Sequence, residues 1–138
     1  MELNYLAILV AAFVQFVLGA LWYSPVLFGK QWMEIMGVSH LSMEEIQKMQ
    51  KEMGPFYAVQ FALTVVYTIS LACVIAAWPE SFGMLAAVKI WAGFVVPTQI
   101  SGVIWGATKK EHWLKQILIM ISYQLVGILI AAYILSVM

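Results

Sequence analysis

The sequence predicts an all-α membrane protein of four transmembrane helices, and three observations carry that expectation. First, 64% of the residues are hydrophobic and only 10% charged, against roughly 45–50% and about 25% in an ordinary soluble domain. A water-soluble fold of this composition would expose apolar surface it could not cover, so its solvent is lipid. Second, four runs reach the roughly 20 apolar residues that a span needs: residues 3–22, 56–78, 82–105 and 114–137. Third, none of these runs shows the period-two alternation of a barrel strand. In lipid the backbone must satisfy its own hydrogen bonds, so the runs are helices. The whole chain, 1–138, reads as one four-span membrane domain.

Taken in order, the first run reads as a span rather than a secretion signal. No Lys or Arg precedes it and no small-x-small cleavage pattern follows. The connection after it is too long for a plain turn. Within it, "LSMEEIQKMQKEM" (41–53) places Met43, Ile46, Met49 and Met53 on one helical stripe. Ser42 and Glu45 have capping-box spacing, and Glu44–Lys48 is an i,i+4 pair. The upstream "KQWMEIM" (30–36) presents Trp32, Ile35 and Met36 in the same way, so residues 30–53 read as an amphipathic segment on the membrane surface. Met-rich stripes also adapt to protein partners. The second and third spans are joined only by "PES" (79–81), which calls for an antiparallel hairpin.

Orientation follows from lysine placement. Lys30, Lys48 and Lys51 lie in the first connection and Lys109, Lys110 and Lys115 at the second, whereas the termini and the PES turn carry none. Both termini are therefore expected outside a bacterial inner membrane, with loops 23–55 and 106–113 in the cytoplasm. The bias argues against dual topology. Trp22, Trp32, Trp105 and Trp113 mark the cytoplasmic border and Trp78 the outer one.

Several function classes fall away. Seven Lys balance seven Glu, with no Arg and no Asp, so no basic stripe exists for nucleic acid. Cys73 is the only cysteine, which excludes an intramolecular disulfide and Cys-based metal sites. His40 and His112 lie in loops, away from any intramembrane haem or metal position. No Asp or Glu lies within a span, so a carboxylate proton relay has nothing to run on. No nucleophile–base pair can be named, and no catalytic, cofactor or metal residue is assigned.

What the spans do contain is amides and hydroxyls. Gln15, Gln60, Gln99 and Gln124 supply one glutamine per span, roughly 6–15 Å from the lysine-rich ends at ~1.5 Å per residue. Thr64, Thr98, Ser101, Ser122 and Tyr123 extend the same layer. Such groups act as packing glue between helices, each contributing about 0.6–2 kcal/mol, or they line a polar cavity for a small solute or ion. Ala11–Gln15–Gly19, Gly102–Gly106 and Gly127–Ala131 repeat small residues at four-residue spacing, a close-packing pattern. In "FVVPTQISG" (94–102), Pro97 removes a donor and crowds the carbonyl of Gly93, so the third span should break near 93–97. Thr98, Gln99 and Ser101 lie within about a turn of the freed carbonyl. Lys89, the lone charge inside a span, is expected to snorkel outward. "GALW" (19–22) and "GVIW" (102–105) hint at two tandem hairpins.

"LGALWYSPVLFGKQW" (18–32), "GFVVPT" (93–98) and Trp113 with "ISYQLVG" (121–127) resemble the small bacterial membrane proteins grouped as domain of unknown function 1761. The resemblance covers nearly the whole chain. It implies four spans and brings no substrate or reaction. Members often carry polar or acidic groups early in the last span, where this chain has Met120 and Gln124, a departure from any shared titrating role. The function expected is that of a non-catalytic structural or accessory module that self-associates or binds a membrane partner. The alternative is a small homo-oligomeric channel or transporter built on the glutamine layer.

Overall fold

The computed structural model describes residues 2–78 and 83–138. The expected PES turn lies outside those residues. The chain forms α1 (Tyr5–Trp22), α2 (Gly29–Met36), α3 (Met43–Glu52), α4 (Gly54–Ala77) and α5 (Gly83–Ile90). A π-helical turn at Trp91–Val95 leads into α6 (Val96–Ile104), and a 3-10 turn at Lys110–His112 into α7 (Trp113–Val137). No strand occurs among the described residues. Four helical stretches are long and apolar enough to cross a membrane: α1, α4, Gly83–Ile104 and Lys110–Val137. They match the four expected runs to within a few residues at each end.

α7 sits at the centre of the bundle, against α1, α4, α5, the π-turn and α6. The helices approach closely because their shared faces carry small residues. Ala7, Ala11, Ala12, Ala86, Ala87, Ala131 and Ala132 are buried, while Ile8, Ile128 and Thr68 are the largest side chains that are fully enclosed. The large apolar side chains point the other way. On α1, Leu6, Leu9, Phe13 and Val17 form an exposed stripe at i, i+3, i+7, i+11 spacing, a face suited to acyl chains rather than water.

Cross-bundle bonds fix the directions of the spans. Asn4 Nδ2 donates to the Met138 carbonyl at 3.0 Å, and Trp22 Nε1 donates to the Ile119 carbonyl at 3.1 Å, so α1 and α7 run antiparallel. Phe16 packs edge-on against Phe61 at 5.5 Å, while Gln15 bonds Thr68, and α1 and α4 are antiparallel as well. α4 meets the third span chiefly along α5. Beyond the π-turn the two spans stand apart.

The first connection is two helices separated by Gly37, which caps α2 at φ 72°, a left-handed conformation that favours glycine. The expected capping box is present on α3: Ser42 N–H donates to Glu45 Oε2 at 2.8 Å and Glu45 N–H to Ser42 Oγ at 3.3 Å. The expected Glu44–Lys48 pair is not closed. The Lys–Glu pair within 4 Å among the described residues is Lys115–Glu34, at 3.8 Å between α7 and α2; both side chains are about half exposed, so it is worth little. Met43, Met49 and Met53 remain exposed on α3.

One further expectation is corrected. Gly102–Gly106 is not a helix-packing pair: nothing approaches Gly102, and the atoms nearest a Cβ on Gly106 are its own preceding turn. α6 packs against α7, and Val103 is its buried residue. The two Gly-x-x-Trp copies also differ in setting, with Trp22 half-buried against α7 and Trp105 87% exposed.

Candidate functional site

The break expected at 93–97 takes the form of the π-turn. The Val96 N–H donates to the Trp91 carbonyl, a bond one residue longer than the α-helical one, and Pro97 opens α6 where no donor is required. Thr98 Oγ1 donates to the Phe94 carbonyl at 2.6 Å. This is the polar side chain that the sequence placed near a disturbed backbone, acting one residue later than the Gly93 carbonyl singled out there. Gly93 itself is exposed with nothing packed over it. π-turns inserted in α-helices frequently mark functional sites.

Next to this turn, α1, α4, the third span and α7 enclose a cavity of about 390 Å³. Seven of the expected polar residues line it: Gln15, Gln60, Thr64, Thr98, Gln99, Tyr123 and Gln124. They converge because polar residues at matched depth on four antiparallel or parallel spans meet wherever their helices face inward. Ser101 and Ser122 do not join them. Ser122 turns its hydroxyl back to the carbonyls of Leu118 and Ile119, the local satisfaction that serine commonly finds in a helix. Ser101 is exposed on α6.

The layer divides into two chemically distinct parts. Gln15, only 4% exposed, donates to Thr68 Oγ1 at 2.8 Å and to the Ala11 carbonyl at 3.2 Å. Thr68 passes its own hydroxyl proton to the Thr64 carbonyl at 2.7 Å, and Thr64 donates to the Gln60 carbonyl at 2.8 Å. Tyr123 OH donates to the Gln15 carbonyl at 3.2 Å. This inner part acts as packing glue, with its side-chain donors all satisfied from within. By contrast, the side-chain amides of Gln60, Gln99 and Gln124 make no hydrogen bond among the described residues, and the buried Tyr67 hydroxyl, also on the wall, has no partner. Unpaired amides and hydroxyls away from water are costly. The outer part is therefore a set of groups prepared to bond something else.

The cavity opens sideways. Gln60, Leu63, Phe94 and Thr98, on its α4 and third-span walls, are all exposed, and among the described residues no carboxylate, lysine or histidine lines it. Lys89 lies elsewhere, in an apolar groove of about 360 Å³ nearer the PES end, beside Val74, Trp78 and Leu85.

Sequence reading missed four participants. Thr68 sits one turn deeper than the layer, and its role shows only through Gln15. Tyr67 and Trp91 looked like ordinary apolar span residues; Trp91 Nε1 ties the π-turn to the Ile121 carbonyl at 2.8 Å. Gln116 breaks the one-glutamine-per-span pattern: it is 8% exposed with its Oε1 unpartnered, and its place near the end of the span made it resemble an interfacial residue.

Glycines hold the site's frame at two points. A Cβ on Gly19 would stand 2.9 Å from the Tyr123 hydroxyl, so the absence of a side chain seats that ring. A Cβ on Gly29 would come within 2.5 Å of the Ser24 backbone, in the turn closed by Gly29 N–H to the Ser24 carbonyl at 2.8 Å. Trp22 and Tyr23 at that turn pack against Tyr123, tilted and edge-on respectively, with ring centroids 6.3 and 5.7 Å apart. The segments 18–32, 93–98 and 121–127 thus meet at the cavity and its aromatic rim.

A family profile described as a protein of unknown function, domain of unknown function 1761, matches residues 6–136. No curated protein and no solved structure matches the chain. With nearly its full length matched, the chain belongs to that family.

Proposed function

We propose that this four-span chain binds a small uncharged polar group inside the membrane and serves as the binding unit of a solute channel or carrier. The observation that supports this over a purely structural accessory role is the division of the glutamine layer. Glue residues bond one another, as Gln15 and Thr68 do, whereas Gln60, Gln99 and Gln124 surround an open cavity with their amides unspent. The volume lies within the roughly 300–1,000 Å³ of small-molecule sites. Amides and hydroxyls bond neutral donors and acceptors but do not compensate a desolvated charge, so the bound group is uncharged and no proton exchange drives it. Binding of this kind is non-enzymatic. The π-turn beside the cavity adds support, since such turns frequently mark functional sites.

With the lysine-rich loops in the cytoplasm, the cavity lies in the inner half of a bacterial inner membrane and both termini lie outside. The exposed methionines of α3 then rest on the cytoplasmic membrane surface. Small bundles of this kind work as homo-oligomers or beside a membrane partner.

Native mass spectrometry of the protein released from gently extracted membranes tests the binding claim. The wild type is expected to carry a non-protein mass that Gln60→Leu/Gln99→Leu loses while retaining its oligomeric state. A bare wild-type protomer, or a double variant that loses assembly instead, would return these glutamines to a packing role.

A further inference from the structure

We infer that the ligand is an amphiphile, with an uncharged carbonyl-bearing head among the glutamines and an apolar tail in the groove beside Lys89. This rests on the reading of the cavity as a binding site and names the chemical class that fits it.

The route of access points to the bilayer. The polar cavity opens between α4 and the third span, where Gln60, Phe94 and Thr98 are exposed. The four spans cross the membrane by length and composition, so what lies outside that opening is acyl chain. A purely water-soluble solute would have to cross lipid to enter there, whereas an amphiphile already resides in it.

The shape supports the same class. The polar cavity and the apolar groove share Ile90 and Phe94 in their walls, so they are neighbours across a single pair of side chains. The groove continues past Val74, Leu85 and Ala86 towards the PES end. From Gln60 to Val74 the α4 axis advances ~21 Å at 1.5 Å per residue, most of the roughly 30 Å hydrocarbon core. A head bonded at the glutamines therefore directs its tail along the bilayer normal, as lipids in the surrounding leaflets lie. The Lys89 stem completes the apolar wall while its ammonium reaches the interface.

The unspent hydrogen bonds define the head. Tyr67 OH is a buried donor without an acceptor, and the Gln60, Gln99 and Gln124 amides add N–H donors around the same cavity from α4, α6 and α7. Carbonyl oxygens on the head would accept from them. A phosphate or carboxylate head would need a cation, and the lysine nearby lies at the tail end of the groove. The chemistry that satisfies both halves is that of a quinone or a comparable neutral carbonyl lipid.

Two probes share one head, a dimethoxy-methyl-benzoquinone, with and without a decyl chain. Their binding to the protein in nanodiscs is measured against empty nanodiscs, and a third probe carries a diazirine at the tail end. The expected result is saturable binding of the tailed probe at least tenfold tighter than the bare ring, with crosslinks at Val74, Leu85 or Ala86. Leu85→Trp, at an exposed position on the groove wall, is expected to weaken the tailed probe far more than the bare ring. Equal binding of both probes would overturn the amphiphile inference while leaving the cavity a binding site. Saturable binding of neither, or crosslinks confined to the outward stripe of Leu9 and Phe13, would overturn it too. In that case the mass retained in native spectra decides separately whether the cavity binds anything.

Discussion

Separating Gln15 from the other glutamines makes a quantitative demand. Its amide bonds Thr68 Oγ1 at 2.8 Å in a position 4% exposed, so Gln15→Leu removes a real interhelical bond between α1 and α4. The loss is limited, because the Thr68 hydroxyl still donates to the Thr64 carbonyl at 2.7 Å and no donor is orphaned. The second Gln15 bond runs to the Ala11 carbonyl within its own helix and adds little between helices. Hydrogen bonds between membrane helices average about 0.6 kcal/mol in double-mutant cycles, with a maximum near 1.7. The coupling between Gln15→Leu and Thr68→Val is accordingly expected at about 1 kcal/mol, read from reversible unfolding in mixed micelles. Distant sites add to within roughly 0.3–0.5 kcal/mol. A coupling inside that band would refute the assignment of Gln15 as glue and would place it with the ligand-facing glutamines.

Other outcomes follow from the same geometry. Gln99→Leu removes an amide that makes no bond, so unfolding stability should stay within about 0.5 kcal/mol of wild type in the same micelle assay, even as ligand retention falls. Gly29→Ala drives a Cβ to 2.5 Å from the Ser24 backbone. Because backbone cannot swing aside, a loss of about 2 kcal/mol or more is expected in unfolding, with the Tyr23–Tyr123 rim disturbed. Glu45 accepts from the Ser42 N–H, and hydrogen bonding to Ser42 holds its carboxyl below the ordinary glutamate value. A lowered folded pKa means that the cap's contribution is fully present above the ordinary glutamate range and fades as pH falls through the lowered value. Amide protection at the start of α3, taken relative to the intrinsic exchange rate at each pH, should fall on acidification through that window, whereas in Glu45→Gln it should not change with pH.

How legible all this was depends on what each feature needs. The spans needed only length and apolarity, and the α3 cap needed only Ser42 and Glu45 three residues apart, so both could be read directly. The cavity's membership was largely readable as well, because Gln60, Thr98, Gln99 and Gln124 are conspicuous in apolar runs and occur at similar depth. What sequence could not supply was rotation about each helix axis. That rotation pairs Gln15 with Thr68, turns Ser122 back on its own helix, and leaves Ser101 outside. Gly102 and Gly106 illustrate the same gap, since a small-residue pair packs only if a neighbouring helix lies on its face. Pro97 announced a disturbed helix, but the five residues of π-turn that absorb it depend on Trp91 anchoring to α7.

The most direct test of the central claim is whether the cavity is polar and open while the bundle sits in a bilayer. With Cys73→Ser as background, Thr98→Cys puts a thiol on the cavity wall and Leu9→Cys puts one on the lipid-facing stripe. Thiols react with an uncharged maleimide as thiolates, which apolar surroundings suppress. In reconstituted, ligand-stripped protein, Thr98→Cys is expected to label at least tenfold faster than Leu9→Cys and to be protected once ligand is restored. Equal labelling at both positions, unchanged when ligand is restored, would contradict the binding site.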